Sequence, residues 1–249
     1  MAKRPSKRKL PSKDEYLFKE RSKIESEVFD RTTLLLLAKM MKKGLFSTLD
    51  YPVSTGKEAN VFRATTEDGS YVAVKVYKIE TASFMKRLPY LEGDPRFRDI
   101  KQDERGFISL FARKEFKNLQ ICAEAGVHSP KPIFILQNII VMEFLGKDGL
   151  PYPTMNLVGP IHGESDLESV LNDIKKMYRA GFVHADISEY NILVGDCPYL
   201  IDFGQGVVLD HPKAEEFLER DVRNVLNYFS KFGYKRDLQK TLEWVRKID

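Results

Sequence analysis

Val183-His184-Ala185-Asp186-Ile187-Ser188-Glu189-Tyr190-Asn191, followed shortly by Tyr199-Leu200-Ile201-Asp202-Phe203-Gly204, is the stretch that decides the fold. A carboxylate, an amide five positions on and a second carboxylate eleven beyond that form the pattern H-x-D-x-x-x-x-N … D-F-G. Phosphoryl transfer from ATP needs such a set: an acceptor for the proton of the attacking hydroxyl, and hard oxygen ligands for Mg²⁺. Asp186 fits the first role, and Asn191 with Asp202 fits the second. A D-F-G tripeptide alone is common by chance. Weight comes from both halves standing in this order with a lysine strand far upstream.

That strand is Tyr71-Val72-Ala73-Val74-Lys75-Val76-Tyr77, a V-A-x-K in a β-rich run. Its lysine is placed to pair the α- and β-phosphates of ATP. Before it lies Ser54-Thr55-Gly56-Lys57-Glu58-Ala59-Asn60-Val61. Laid on G-x-G-x-x-G-x-V, this segment puts Ser54, Gly56, Ala59 and Val61 at the fixed positions. Small residues stand where backbone must approach phosphate, although two glycines are gone. It is not a Walker A loop, because Tyr51 occupies the first glycine position and Glu58 follows the lysine where Ser or Thr belongs. Together these segments predict an α+β chain with a bilobal, protein-kinase-like fold.

Ser54 to Asn60 (S-T-G-K-E-A-N), the H-A-D-I-S-E-Y-N loop and I-D-F-G-Q resemble the RIO family of atypical serine/threonine kinases, in the subfamily without an N-terminal winged helix. The resemblance runs from about Lys19 to the C-terminus. It implies a nucleotide site built from Ser54, Thr55, Gly56, Lys57, Glu58, Val61 and Lys75. It also implies Mg²⁺, or Mn²⁺, on Asn191 and Asp202, and a role in maturing the small ribosomal subunit on pre-ribosomal particles and rRNA. The family offers a second chemistry, in which Asp202 itself accepts phosphate transiently and the protein works as an ATPase-driven switch.

Length and composition are consistent with this. A chain of 249 residues can bury a large core in one bilobal unit or in two small domains. No apolar run approaches the roughly 20 residues of a membrane span, and Met1-Ala2-Lys3-Arg4 leads into no hydrophobic signal region. Cys122 and Cys197 stand alone without metal-ligand spacing, so reduced thiols in a cytoplasmic protein are expected. Charge is uneven. Residues 1–50 hold 13 Lys and Arg against 7 Asp and Glu, a balance of +6, while the remainder stands at −2. Lys3, Arg4, Lys7, Arg8, Lys9 and Lys13 precede the first acid, Asp14. Such a run reads first as a solvated, disordered tail; it also suits phosphate backbones electrostatically, and without aromatics it offers no base stacking.

Read along the chain, three regions are expected. Residues 1–50 comprise a basic tail and an accessory amphipathic helix over 22–43, stopped by Gly44 and docked on the first lobe. Residues 51–142 form a β-rich lobe with a turn at Glu67-Asp68-Gly69-Ser70, a mobile polar loop over 80–108 and a helix over 108–125. Within that helix Glu115 is the chosen partner of Lys75, and Glu124 lies too near the end. Ile133–Leu136 and Ile139–Met142 form a buried hairpin that leads into residues 143–249. There Glu143-Phe144-Leu145-Gly146 resembles a kinase hinge, with backbone groups of Glu143 and Leu145 bonding adenine. A capping box at Ser165-Asp166-Leu167-Glu168 opens a helix with an apolar face through Leu167, Val170, Leu171, Ile174, Met177 and Tyr178. His184 reads as a structural residue.

Three departures from ordinary protein kinases bear on function. Ala185 replaces the arginine of H-R-D, so no cation stands there to receive an activation-loop phosphate. Ser188 occupies the place of a lysine near the transferred phosphoryl group, which weakens transition-state stabilisation. No A-P-E follows, and a helix begins near Pro212, so the peptide-binding subdomains are missing. Two other classes compete. A small-molecule phosphotransferase of the aminoglycoside or choline kinase kind also uses D-x-x-x-x-N, but Gln205-Gly206 after D-F-G and the small second lobe argue against it. A non-catalytic nucleotide-binding scaffold has no need of Lys75, Asp186, Asn191 and Asp202 together.

Overall fold

A computed structural model describes residues 29–79, 94, 96 and 104–247. The basic run at 3–13, the first part of the expected 22–43 helix and most of the expected 80–108 loop lie outside the described residues.

Helix α1 spans Arg31–Lys42, and Asp30 caps it by accepting from the Thr32 and Thr33 amides at 2.9 and 3.3 Å. The expected helix over 22–43 is therefore corrected at its start, since an aspartate in extended backbone fixes the boundary. Strands β1 (Thr48–Thr55), β2 (Ala59–Thr65), β3 (Tyr71–Tyr77), β4 (Pro132–Leu136) and β5 (Ile139–Glu143) make one antiparallel sheet in the order β1-β2-β3-β5-β4. The β4–β5 turn uses Gln137 at a left-handed φ of 51°.

Strand β3 is central and buried on both faces, so its alternation sorts two environments. Val72, Val74 and Val76 join Ile139 and Val141 of β5 in a core with Leu36, Leu37 and Met40 of α1. Only one stripe of the Leu34–Leu37 run is used, because a helical period of 3.6 turns Leu34 and Leu35 outward. Ala73, Lys75 and Tyr77 point the other way, to helix α2 (Glu104–Glu124) and the larger core.

Helix α2 begins four residues before the expected Ile108, so residues 104–108 are helical where a loop was anticipated. Asp94 and Arg96 also depart from an open loop. Asp94 is buried, and Arg96 bonds its carboxylate and reaches Asn118 of α2 at 3.0 Å. After β5 come the short hairpin β6 (Gly146–Lys147) and β7 (Leu150–Pro151), then α3 (Met155–Val158) and α4 (Glu164–Arg179). The expected capping box does not form. Gly163 with φ 69° is the N-cap residue, Ser165 lies inside the helix, and Asp166 instead turns back to the His162 amide at 3.0 Å and ring at 2.8 Å. On the expected apolar face only Tyr178 is not fully buried.

Strands β8 (Phe182–Val183), β9 (Ile192–Val194), β10 (Pro198–Leu200) and β11 (Val207–Val208) then carry the two motif segments in small antiparallel pairs. Helices α5 (Ala214–Ser230) and α6 (Leu238–Arg246) pack behind them. The architecture is α+β and kinase-like, with a sheet above and helices below a cleft. Among the described residues no helix is long and apolar enough to cross a membrane.

Candidate active site

Strand register brings the first charge into place. Lys75 lies opposite Val61 of β2 and Ile140 of β5, only 6% exposed. Its Nζ is 2.6 Å from Glu115 Oε1 on α2 and 3.0 Å from Asp202 Oδ1. Burial alone would pull its pKa down, but the Asp202 and Glu115 carboxylates hold it above the usual lysine value. It stays a cation. Tyr77, two residues on along the same strand face, donates its hydroxyl to the other Glu115 oxygen, Oε2. Burial and the neighbouring Glu115 charge raise the Tyr77 pKa well above the phenol range, which keeps the hydroxyl a donor.

The catalytic-loop aspartate is presented by a strained backbone. Ala185 takes φ 65°, unusual for a residue with a Cβ. Asp221 of α5 secures that turn from beneath, accepting the Ala185 amide at 2.7 Å and the Ile187 amide at 3.0 Å, while Arg220 donates to the Ala185 carbonyl. Burial pushes Asp221 up to about 7, against the pull of those two amides and of Arg220. Asp186, between them, receives Asn191 Nδ2 at 3.2 Å and Gln205 Nε2 at 3.0 Å, both on Oδ2. His184 is buried, with Nε2 3.1 Å from the Ile201 carbonyl. Burial lowers its pKa to about 4, so it is neutral near pH 7. Asp202 adopts φ 64° as the N-cap residue of a 3₁₀ turn over Phe203–Gln205, which turns its carboxylate toward Lys75.

The segment after Asp202 is held to α2. Lys114, wholly buried, donates to the Gly204 carbonyl at 3.1 Å and to the Gly206 carbonyl. Asn118 donates to the Phe203 and Gly206 carbonyls at 2.8 and 3.1 Å. Helix α2 therefore supplies the partner of Lys75 and the scaffold of Asp202 from one face, which carries Phe111, Lys114, Glu115, Asn118, Leu119 and Cys122.

These groups line a cleft of about 540 Å³, within the range of small-molecule sites. Ser54, Gly56, Lys57, Glu58 and Val61 form its roof, Lys75 and Glu115 its back, Glu143 and Leu145 its hinge, and Asn191 and Asp202 its floor. Gly56 leaves little room there, because its amide bonds the Ala59 carbonyl at 2.9 Å and a Cβ would stand 3.0 Å from that oxygen. Neither Thr55 nor Asp186 lines the cleft, but Asp186 accepts from Asn191, which does. At the hinge, the Glu143 amide donates to Lys131 and the Leu145 carbonyl accepts from Tyr152. Of the hinge backbone groups expected to bond adenine, the Glu143 amide and the Leu145 carbonyl thus each have a partner within the chain.

Tyr77, Lys114, Asn118, Gln205 and Asp221 were not anticipated from the sequence. Two carried a signal that could have found them: Tyr77 stands at i+2 from Lys75, and Asp221 interrupts the apolar stripe Phe217, Leu218, Val222 and Val225.

Oxygen donors of carboxylate and amide type fit Mg²⁺, which commonly takes one or two carboxylates and completes its shell with substrate phosphates and water. No cluster of three or more His, Cys, Asp or Glu ligands occurs among the described residues.

Comparison with known proteins adds to this geometry. The signature of the RIO domain family matches residues 60–241. A RIO-type serine/threonine-protein kinase Rio1 from Haloferax volcanii is 41% identical over 90% of this chain and 77% of its own length. One from Thermoplasma acidophilum is 42% identical over 75% of this chain and 99% of its own. The human serine/threonine-protein kinase RIO1 is 37% identical over 84% of this chain, but only 38% of the human protein is covered. Among solved structures, a Chaetomium thermophilum Rio2 kinase–ADP/Mg²⁺–phosphoaspartate complex shares the fold, with a TM-score of 0.62 and 23% identity over 85% of this chain and 66% of that one.

Proposed function

The chain belongs to the RIO family, and from that premise we propose that it is an ATP- and Mg²⁺-dependent serine/threonine protein kinase with an associated ATPase activity. The observation that carries the proposal is the Glu115–Lys75–Asp202 line of charge at 2.6 and 3.0 Å above an Asp186 held on a strained turn. Asp186 accepts the proton of an acceptor hydroxyl as its oxygen attacks the γ-phosphorus and the bond to the departing ADP oxygen breaks. Lys75 orients the α- and β-phosphates, and the Gly56 turn admits backbone close to them. Asn191 and Asp202 hold Mg²⁺, or Mn²⁺ on the same oxygen donors, and the ion when bound neutralises developing phosphate charge.

A second fate for the phosphoryl group is favoured by one observation. The Asp202 side chain, 35% exposed, opens onto the cleft and is therefore reachable by the γ-phosphorus as well as by a metal. We assign the acceptor side of the reaction to small-subunit ribosome maturation, in the cytoplasm. The basic residues between Lys3 and Lys13 would meet rRNA phosphates there.

Incubation with γ-labelled ATP alone, with pre-ribosomal particles and with a generic protein substrate tests the proposal. Label on a particle protein, on the enzyme itself or in released phosphate is expected. Absence of all three in Mg²⁺ buffer refutes it.

A further inference from the structure

Gln205 follows Asp202-Phe203-Gly204, and the chemistry above gives it no task. Its amide nevertheless donates to Asp186 Oδ2 at 3.0 Å, across nineteen residues of chain. Asn191 Nδ2 reaches the same oxygen at 3.2 Å. One carboxylate oxygen thus carries two neutral amide donors, one from its own loop and one from the Asp202 turn.

The turn that presents Gln205 is fixed on both sides. Lys114 and Asn118 hold the carbonyls of Phe203, Gly204 and Gly206 from within the core. Gly206 lies so close to the Phe182 ring that a Cβ there would overlap it. A free aspartate, by contrast, rotates broadly about χ2. Rotation would carry the accepting oxygen away from an incoming hydroxyl, and proton transfer requires heavy-atom distances of about 2.6–3.2 Å.

Resting on the phosphoryl-transfer reading, we propose that Gln205 is a positioning residue. Its amide locks the Asp186 carboxylate in register with the Asp202 segment, so that base and metal-holding residue move as one unit. An amide suits this task because it supplies a directional donor without a positive charge. A cation at the same place would compete for Asp186 with the proton it is there to accept. Ser188, standing where a lysine is found in ordinary protein kinases, leaves the loop itself without such a cation.

The test compares the parent protein with Gln205→Ala, Gln205→Glu, Asp186→Ala and the Asp186→Ala/Gln205→Ala double variant. Three quantities are measured for each: steady-state turnover of ATP, the dissociation constant for Mg·ATP by direct titration, and the thermal midpoint. Q205A is expected to lower kcat roughly 10- to 100-fold, the loss typical of a misplaced reacting group. Mg·ATP affinity should stay within about twofold, since the amide touches neither phosphate nor metal ligand oxygen. Q205E, similar in shape, should lose at least as much because a second carboxylate then faces Asp186, and it keeps the test open should Q205A fold poorly. In the Asp186→Ala background the Gln205 substitution should add nothing further.

Full kcat in both Gln205 variants, weaker Mg·ATP binding with kcat unchanged, or a loss that simply adds to that of Asp186→Ala would each overturn the proposal. A parent protein that consumes no ATP would overturn the functional reading itself, and this inference with it.

Discussion

At the scale of single residues, the proposed reaction divides the work between the two carboxylates of the loop and the D-F-G segment, and their variants should separate. Asp202→Ala removes a metal-holding oxygen and the outer partner of Lys75, so Mg·ATP binding is expected to be lost along with turnover. Asp186→Ala acts only on the acceptor, so turnover should fall about 10²–10⁴-fold while Mg·ATP titrates as in the parent. Equal nucleotide affinity in both variants would refute the division. Lys75 is a different case. A lysine that merely lined a cleft could be removed without loss of stability, but this one is buried between two carboxylates. Lys75→Ala should abolish turnover and also lower unfolding free energy by about 1–3 kcal/mol. That is less than a fully buried broken pair costs, because Asp202 is partly exposed and Tyr77 still bonds Glu115. His184 gives the pH dependence. Its Nδ1 is buried with no partner among the described residues, which suits a neutral ring, and burial lowers its pKa to about 4 from 6.5. A depressed histidine means that the unfolded chain takes up the proton first. Stability from this group is therefore present above pH 6.5 and lost as pH falls through 6.5 toward 4, by up to about 3 kcal/mol. Urea unfolding at pH 7 and pH 4.5 should show that loss shrinking in His184→Leu, and an equal loss in both proteins would refute it.

Elements, rather than residues, decide whether the site exists before nucleotide arrives. Helix α2 contributes Glu115 to the lysine and Lys114 with Asn118 to the Asp202 turn, so one helix position sets both halves of the site. Ala185, in place of the H-R-D arginine, offers no cation to an activation-loop phosphate. Lys114→Met keeps the length of the side chain but takes the lysine donor from the buried Gly204 carbonyl, while the Gly206 carbonyl keeps Asn118. At about 1–3 kcal/mol for one unsatisfied buried group, a loss of that order is expected in chemical denaturation, with turnover falling in parallel. Unchanged stability would show that the lysine can be spared. Such elements also mark where sequence was readable. The α2 helix, the β4–β5 hairpin and the strand carrying Lys75 were legible because period and spacing are local properties of the chain. Glu115 was picked out by its place along the helix together with the family resemblance. Lys114 and Asn118 could not be, since their partners lie some 85 to 92 residues away and no local pattern encodes that pairing. The false capping box at Ser165 shows the converse: a local pattern was present, but the Asp166 carboxylate found the His162 ring and amide instead.

Across the whole molecule, what remained hidden in the sequence is how the upper sheet is joined to the hinge. Arg63 of β2 has no motif around it. In the fold its guanidinium lies 4.6 and 4.4 Å from the Tyr51 and Tyr71 ring centroids, pairs with Asp50 at 2.8 Å, and donates to the Gly149 carbonyl at 2.8 Å. The Tyr51 hydroxyl donates to the same carbonyl at 2.8 Å. Gly149, at φ 77°, is the tip of the β6–β7 hairpin that follows the hinge, and a side chain there would run into Arg63 and Tyr71. The hairpin is thereby tied to the sheet, and opening of the cleft must pivot after Pro151 rather than at Glu143. Arg63→Ala removes two cation–π contacts of about 0.5–1 kcal/mol each and one of the two donors to Gly149. A stability loss of roughly 1–2 kcal/mol is expected, together with faster release of bound nucleotide, because Glu143 and Leu145 would no longer be braced. Arg63→Lys restores the charge but not the planar stacking or the forked donors, so it should recover only part of either quantity. Stopped-flow displacement of a fluorescent ATP analogue from the three proteins decides the matter. Identical off-rates would mean that the hinge is rigid without the clasp, and the pivot would then have to be placed elsewhere.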